Sequence, residues 1–377
     1  MYPYKHPKRG DLKSTSISNI LQSVIPEEKL SPFLQELEYV DKARKFTVYD
    51  LFLFLAEASF QQWKGYRDGE VRMVSSSLRP VDHSTLSKKA KKVPFELFKQ
   101  LLNLMIDRCN RSTRRHLGIP KALLLVDSTK ITVGKGRLPW ALLKGERAGI
   151  KLHVSVVADE GRLHKVTETT GNSHDFKSCP EVTDKRFILV ADRAYSGYKR
   201  FDDYLEQHQF FVIRLRDNTL FHSPVSRTRS EPFTGTLEQD FTCQLGKKQG
   251  LSKNRFRVVI LRDPQGNPVI LATNLHWHSA ERIAEIYKKR WQIEVFFRWI
   301  KQHLNIPTLF GTTPNAVYGQ LYTALLVYVL LKFLFDEGNA GVHWSAKLTF
   351  ADFDRLFTLQ RLPVEWITFF ANDLAFP

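Results

Sequence analysis

Two short apolar runs each stop at an aspartate: ALLLVDSTK at Asp127 and RFILVADRAY at Asp192. Runs of this purity predict strands covered on both faces, so each carboxylate is expected at a strand end, held at the rim of a sheet. One such aspartate is usually a turn former or a cap, but two together can hold divalent cations, because carboxylate oxygens are hard ligands. Further on, Tyr287, Arg290, Glu294 and Lys301 share the stretch SAERIAEIYKKRWQIEVFFRWIKQHL, whose apolar positions recur at helical spacing. At about 100 degrees per residue, with Tyr287 at zero, the other three project near 300, 340 and 320 degrees, on one face. Ile286, Ile293, Phe296, Phe297 and Ile300 gather between about 180 and 280 degrees, a flank that can be buried while the charged edge looks into a cleft. Arg290 and Glu294 alone would be an ordinary i,i+4 surface pair. Beside two strand-end aspartates they supply what two-metal phosphoryl transfer needs: oxygen ligands for ions about 4 Å apart and positive charge for a polyanionic substrate. Periodicity does not choose Glu294 over Glu281 or Glu285 as the third carboxylate.

The intervening sequence alternates as a sheet requires. LHVSVVADEGRLHKVTET predicts a hairpin turning at Asp159-Glu160-Gly161, SGYKRFDDYLEQHQ a helix, and FFVIRLR another strand. The expected order is three strands, a fourth, a helix and a fifth strand. Residues 217–276 add β texture, with FRVVIL and VILATNL joined through Asp263-Pro264-Gln265-Gly266-Asn267, and no Pro/Gly-rich linker frees this stretch from the core. Ser279 is the expected N-cap of one long helix stopping near Pro307, and Thr313-Pro314 opens the next. Before residue 115 the chain reads as helical, with a start at Ser31-Pro32 and apolar segments from Phe46 to Ala58 and Pro94 to Cys109. Between them Lys88, Lys89, Lys91 and Lys92 lie on a short segment that is either a helix presented to DNA phosphates or a solvated basic turn.

The bulk properties agree with a nucleic-acid partner. Lys plus Arg number 56 against 39 Asp plus Glu, a formal charge of +17 that favours a polyanion through counterion release. Cys109, Cys179 and Cys243 have no paired spacing, so neither a disulfide framework nor a structural zinc site is expected, and the three read as buried thiols. MYPYKHPKRGDLK carries no apolar stretch of the secretory kind. Leu321 to Phe335 includes Thr323 and Lys332 and falls short of the roughly 20 residues of a membrane span, so it is expected as a buried core helix.

The chain resembles the DDE transposases of bacterial insertion sequences, in the branch called insertion-sequence family 4. The resemblance covers about 121 to 335 and rests on three ordered motifs: Asp127-Ser128-Thr129, then Asp192 with Ala194 and Tyr195, then Tyr287, Arg290, Glu294 and Lys301 at the family's Tyr-x2-Arg-x3-Glu-x6-Lys spacing. It implies an α/β ribonuclease-H-like catalytic core, a mixed sheet with flanking helices, carrying a β-rich insertion. The implied division is a helical DNA-binding region over 1–115, the core over 116–312 with its insertion at about 217–276, and a helical region over 313–377. It also implies that Asp127, Asp192 and Glu294 are the catalytic ligands of two Mg2+ or Mn2+ ions and that Tyr287, Arg290 and Lys301 contact DNA at the transposon ends. The implied partners are double-stranded DNA, as terminal inverted repeats and target, and a second copy of the chain in the DNA complex. The implied location is the bacterial cytoplasm, with the nucleoid when DNA-bound. Arg255 and Arg257 are candidates to grip DNA from the β-rich stretch. Trp277, the nearest tryptophan for stacking on a flipped base, reads as a core residue, and His174-Asp175 and Lys151-x-His153, between the first two motifs, read as loop caps or satisfied strand residues in preference to groups lining the cleft. A hydrolytic nuclease of the same fold and a non-catalytic DNA-binding relic are the alternatives; the first has no need of the full Tyr-Arg-Glu-Lys spacing, and the second would tolerate loss of carboxylates that are all present.

Overall fold

The computed structural model describes residues 16–114, 122–173, 175, 181–227, 236–247, 250–372 and 374. His174 and Cys179 lie outside the described residues. The chain divides into two compact units, one of residues 118–298 and one built from 1–117 with 299–377.

The first unit is organised by a nine-stranded mixed sheet in the order β3-β2-β1-β4-β5-β9-β8-β7-β6. β1 (Leu123–Gly134), β2 (Arg147–Val157) and β3 (Arg162–Thr170) form an antiparallel meander. β4 (Ile188–Ala191) runs parallel to β1, and β5 (Phe211–Arg214) parallel to β4. Three antiparallel strands followed by two parallel ones, with β1 inside, is the ribonuclease-H-like arrangement. The β-rich stretch then continues the same sheet: β6 (Phe221–Ser226), β7 (Leu237–Leu245), β8 (Phe256–Arg262) and β9 (Pro268–Thr273) join it through antiparallel pairing of β9 with β5.

Alternation along the strands separates the two faces of this sheet. Leu124, Val126, Leu189, Ala191, Phe211 and Ile213 share a buried cluster with Phe201 of the crossover helix Tyr198–Glu206, whose ring stacks on Phe211 at 4.7 Å. The opposite face receives the helix Ala280–Lys288, which buries Ala280, Ile283 and Ile286 and is capped by Ser279 accepting from the Arg282 N–H.

The second unit is helical among its described residues. In chain order its helices are α1 (Ile17–Val24), α2 (Ser31–Glu36), α3 (Val48–Phe60), α4 (Tyr66–Met73), α5 (His83–Lys92) and α6 (Phe95–Arg114). The crossover helix is α7, Ala280–Lys288 is α8, and α9 (Trp291–His303) runs from the first unit into the second. α10 (Pro314–Gly341), α11 (Phe350–Thr358) and α12 (Val364–Asn372) complete the second unit. Thr47 and Asp50 close a capping box at α3, and Thr313 caps α10 with proline in its first turn. α10 is apolar and long enough to cross a membrane, yet 94% of its most apolar window is buried within the protein, against α6, α3 and α5. It is the central core helix of this unit.

Two expectations about elements are corrected. β1 does not end at Asp127: the apolar run ends there, but Ser128 to Gly134 stay paired with β2. The expected long helix from Ser279 is two helices, α8 and α9, broken at Lys289-Arg290 by a tight turn in which the Arg290 N–H donates to the Tyr287 carbonyl at 2.9 Å.

Candidate active site

The parallel ladder between β1 and β4 ends at the row Val126 and Ala191. Asp127 and Asp192 are the next residues on each strand, so they stand side by side just beyond the last paired row. Register, more than a strand end, juxtaposes them. Ile213 pairs with Ala191, which brings Arg214 of β5 to the same row. By alternation these three leave the sheet on the face opposite the Leu124–Phe211 cluster, the face that receives α8.

Each aspartate is oriented by the next peptide. The Ser128 N–H donates to Asp127 Oδ1 at 2.7 Å and the Arg193 N–H to Asp192 Oδ1 at 2.7 Å. After Asp192 the chain turns sharply and buries Tyr195 completely in the core, which anchors the second motif.

The break between α8 and α9 assembles the third motif. Tyr287 ends α8, Arg290 lies in the turn, and Glu294 sits in the first turn of α9. Arg290 Nη2 contacts Glu294 Oε1 at 2.5 Å, its Nη1 lies 3.7 Å from Asp127 Oδ2, and its guanidinium sits 5.8 Å from the centre of the Tyr287 ring. Burial pushes the Asp127 carboxyl up to about 6; the Ser128 N–H and the Arg290 charge pull it down, and the charges of Asp192 and Glu294 push it up. Burial likewise raises the Tyr287 phenol, which also senses Arg290, Asp192 and Arg214. Three carboxylates, two arginines and a tyrosine therefore share one electrostatic environment.

Residues 119–330 match the family described as transposase DDE domain. The chain is 46% identical, over 94% of its length and 93% of the relative's, to a protein named as a transposase for insertion sequence element IS5377 in Geobacillus stearothermophilus. A second relative, y4zB of Sinorhizobium fredii, also carries a transposase name and is 32% identical over 69% of this chain and 73% of its own. The chain belongs to the DDE transposase family. It is a DNA transposase, an enzyme of DNA cleavage and strand transfer, and its family generally uses divalent metal ions.

The carboxylates of this transposase suit such ions by chemistry: they offer hard oxygen donors, and burial, with a smaller push from the charges of Asp192 and Glu294, keeps Asp127 reluctant to ionise. They are not drawn into a cage, since among the described residues no group of three His, Cys, Asp or Glu side chains is close enough to hold one ion. The cation now facing Asp127 and Glu294 is the Arg290 guanidinium.

Other sequence candidates fare differently. Lys301 lies two turns beyond Glu294 on α9, half-buried, with its ammonium held below the usual lysine range by burial. Arg257 does not reach DNA: it is 1% exposed, paired with Asp240 at 2.8 Å and donating to the Leu275 and His278 carbonyls. Its partner Asp240 comes from the neighbouring strand β7, so burial of the arginine depends on a non-local pairing. Arg255 is exposed, with one guanidinium nitrogen on the Ser223 and Thr242 carbonyls. Trp277 is not a core residue: it is 62% exposed and meets Phe210 edge-on at 5.0 Å. On α5, Lys88, Lys91 and Lys92 face solvent, while Lys89 is buried in a salt bridge with Asp41. Lys151 and His153 meet Asp175 on the far side of β1. Sequence reasoning missed Arg214, whose signal was its place at the end of the strand FFVIR, in line with Asp192.

Proposed function

We propose that Asp127, Asp192 and Glu294 hold the divalent ions of the transposase, as two Mg2+ or Mn2+, and that Tyr287, Arg290 and Lys301 contact the phosphates of the transposon ends. The observation that carries this reading is the placing of Asp127 and Asp192 side by side beyond the last parallel-paired row, with Arg290 bridging toward Glu294. When bound, divalent ions supply the positive charge that makes a water or a 3'-hydroxyl a competent nucleophile and stabilises the leaving oxygen in an in-line displacement.

The protein's own groups do the remaining work. The Ser128 and Arg193 N–H groups fix the rotamers of the two aspartates, so their lone pairs point consistently without reorganisation cost. Arg290 holds Glu294 by a charge-assisted hydrogen bond and still faces Asp127, so an incoming phosphate can take over part of its contact. The Tyr287 phenol, kept protonated by burial, is a hydrogen-bond donor for phosphate oxygen rather than a base. Hydrolytic nicking and strand transfer then use one constellation, because they are the same displacement with different attacking oxygens. The DNA bound is double-stranded, first the terminal inverted repeats and then the target, by a pair of chains in a bacterial cytoplasm. The charge of +17 supports this polyanionic partner.

The decisive assay uses labelled DNA carrying the element's own end, with Mg2+ or Mn2+, and compares wild type with Glu294→Gln. Wild type is expected to free the 3' end and join it to target, and the variant to lose on the order of 10^3-fold in both steps while binding the end within a few-fold. Cleavage that survives the substitution removes Glu294 from the ligand set. Cleavage by wild type without joining makes the chain a nuclease.

A further inference from the structure

β1 carries Asp127 on one face and Ser128 on the other, and the residues gathered behind Ser128 are a second polar cluster that the chemistry above does not use. His153 of β2 lies directly across from Ser128 in the ladder, and Lys151 is two residues away on the same face. Asp175 closes the cluster. Its Oδ1 accepts from Ser128 Oγ at 2.8 Å and from Lys151 Nζ at 3.0 Å, and lies 3.6 Å from His153 Nδ1. Lys151 also donates to the Ser173 carbonyl at 2.8 Å, and His153 Nε2 meets Thr169 Oγ1 at 2.8 Å. The groups are largely out of water: side-chain exposure is 13% for Lys151, 19% for Asp175 and 0% for His153, whose Nδ1 makes no hydrogen bond among the described residues.

An ion pair placed only to satisfy Lys151 would not need Ser128. Here the carboxylate grips the hydroxyl of the residue whose own N–H orients Asp127 at 2.7 Å. Ser128 is thus held from both sides of the strand. Its hydroxyl is committed to Asp175 and its peptide N–H to Asp127. Lys151, 3.0 Å away, is the counterion of the Asp175 carboxylate. Outer partners of metal-binding carboxylates work in this way, by restricting the ligand's orientation before any ion arrives.

We propose that Asp175 is a positioning residue for metal binding: by holding the Ser128 hydroxyl on the far face of β1, with Lys151 as its counterion, it fixes the peptide whose N–H aims the Asp127 carboxylate. This rests on Asp127, Asp192 and Glu294 being the metal ligands.

The test is Mn2+ affinity of the full-length protein by titration calorimetry, with the Mn2+ concentration giving half-maximal end cleavage as a second readout. Ser128→Ala keeps the peptide N–H and removes only the anchor, and Asp175→Ala removes its holder; each is expected to weaken Mn2+ binding about tenfold or more. The double variant is expected to be no weaker than either single one, because both break one link. Asp175→Asn, which retains an oxygen to accept from Ser128, is expected to keep most of the affinity. Should Asp175→Ala fail to fold, Ser128→Ala carries the test alone. Single variants within twofold of wild type, or losses that multiply in the double variant, overturn the proposal. Glu294→Gln separates this from failure of the underlying reading: if it binds Mn2+ as wild type does, the ligand set is wrong and the positioning role falls with it.

Discussion

At Arg290 a single guanidinium faces Asp127 at 3.7 Å and Glu294 at 2.5 Å, and both acidic partners are at most about one-third exposed. The Arg290 charge pulls the Asp127 carboxyl down, against burial and the charges of Asp192 and Glu294 that hold it up at about 6. Arg290→Ala removes that pull, so the carboxyl climbs further and its ionised form is held at greater cost. In metal-free protein the substitution should cost about 1 kcal/mol at pH 8, roughly 3 °C in thermal midpoint for a unit of this size. The loss should be smaller at pH 5, where Asp127 is already protonated. Calorimetric scans at the two pH values check this, and an equal loss at both would show that Arg290 does not set the Asp127 charge. Mg2+ should restore part of the pH 8 loss, because it replaces the missing cation.

The elements themselves were legible from the sequence wherever the signal was local. Ser279 and Thr313 cap helices as their sequences predict, and Asp159-Glu160-Gly161 turns the β2–β3 hairpin. What could not be read locally was decided by partners distant in sequence. Ser128 to Gly134 lack a continuous apolar run, yet pair with β2 along their whole length, and Arg257 is buried because Asp240 lies on the next strand. A helical projection places Tyr287, Arg290 and Glu294 on one face but cannot show the break that lets Arg290 turn back on both carboxylates. That break is pinned from outside the helices. Asp159 Oδ1 accepts from Lys289 Nζ at 2.7 Å and Gln292 Nε2 at 2.9 Å, and the Asp159 N–H donates to Gln292 Oε1 at 2.7 Å. A hairpin tip thereby fastens the α8–α9 turn to the meander that carries Asp127. Because the clamp is solvent-exposed, Asp159→Ala should cost less than about 1 kcal/mol of stability. A shift of Glu294 by a fraction of an ångström should nonetheless lower end cleavage about tenfold at saturating metal. Cleavage at the wild-type rate with an unchanged thermal midpoint would leave the clamp without a catalytic role.

For the sheet unit as a whole, stability should depend on pH through groups that burial and pairing have moved in opposite directions. Burial is the main cause lowering His153, His164 and His276; at His164 it outweighs the attraction of Asp184, 3.1 Å away. The unfolded chain takes up protons at these histidines near pH 6.5, while the folded unit refuses them until lower pH, so stability falls as pH drops below 6.5. Asp159 and Asp184, both lowered, extend this loss to more acid conditions. Asp127 works the other way: raised to about 6, it is protonated earlier in the folded state, so between about 6 and its ordinary 3.8 it adds stability as pH falls. Three histidines oppose one carboxyl, so the net change from pH 6.5 to 5 should be a loss. Asp127→Asn removes this opposing carboxyl and should make that acid loss steeper, by up to about 1.4 kcal/mol per pH unit. Hydrogen exchange at the β1 and β2 amides, followed in metal-free protein from pH 7.5 to 4.5, reports this unit rather than the helical one. Parallel profiles for wild type and variant would mean that Asp127 ionises normally in the folded protein. A steeper profile for the variant would place the strain of the site in Asp127, where a bound cation relieves it.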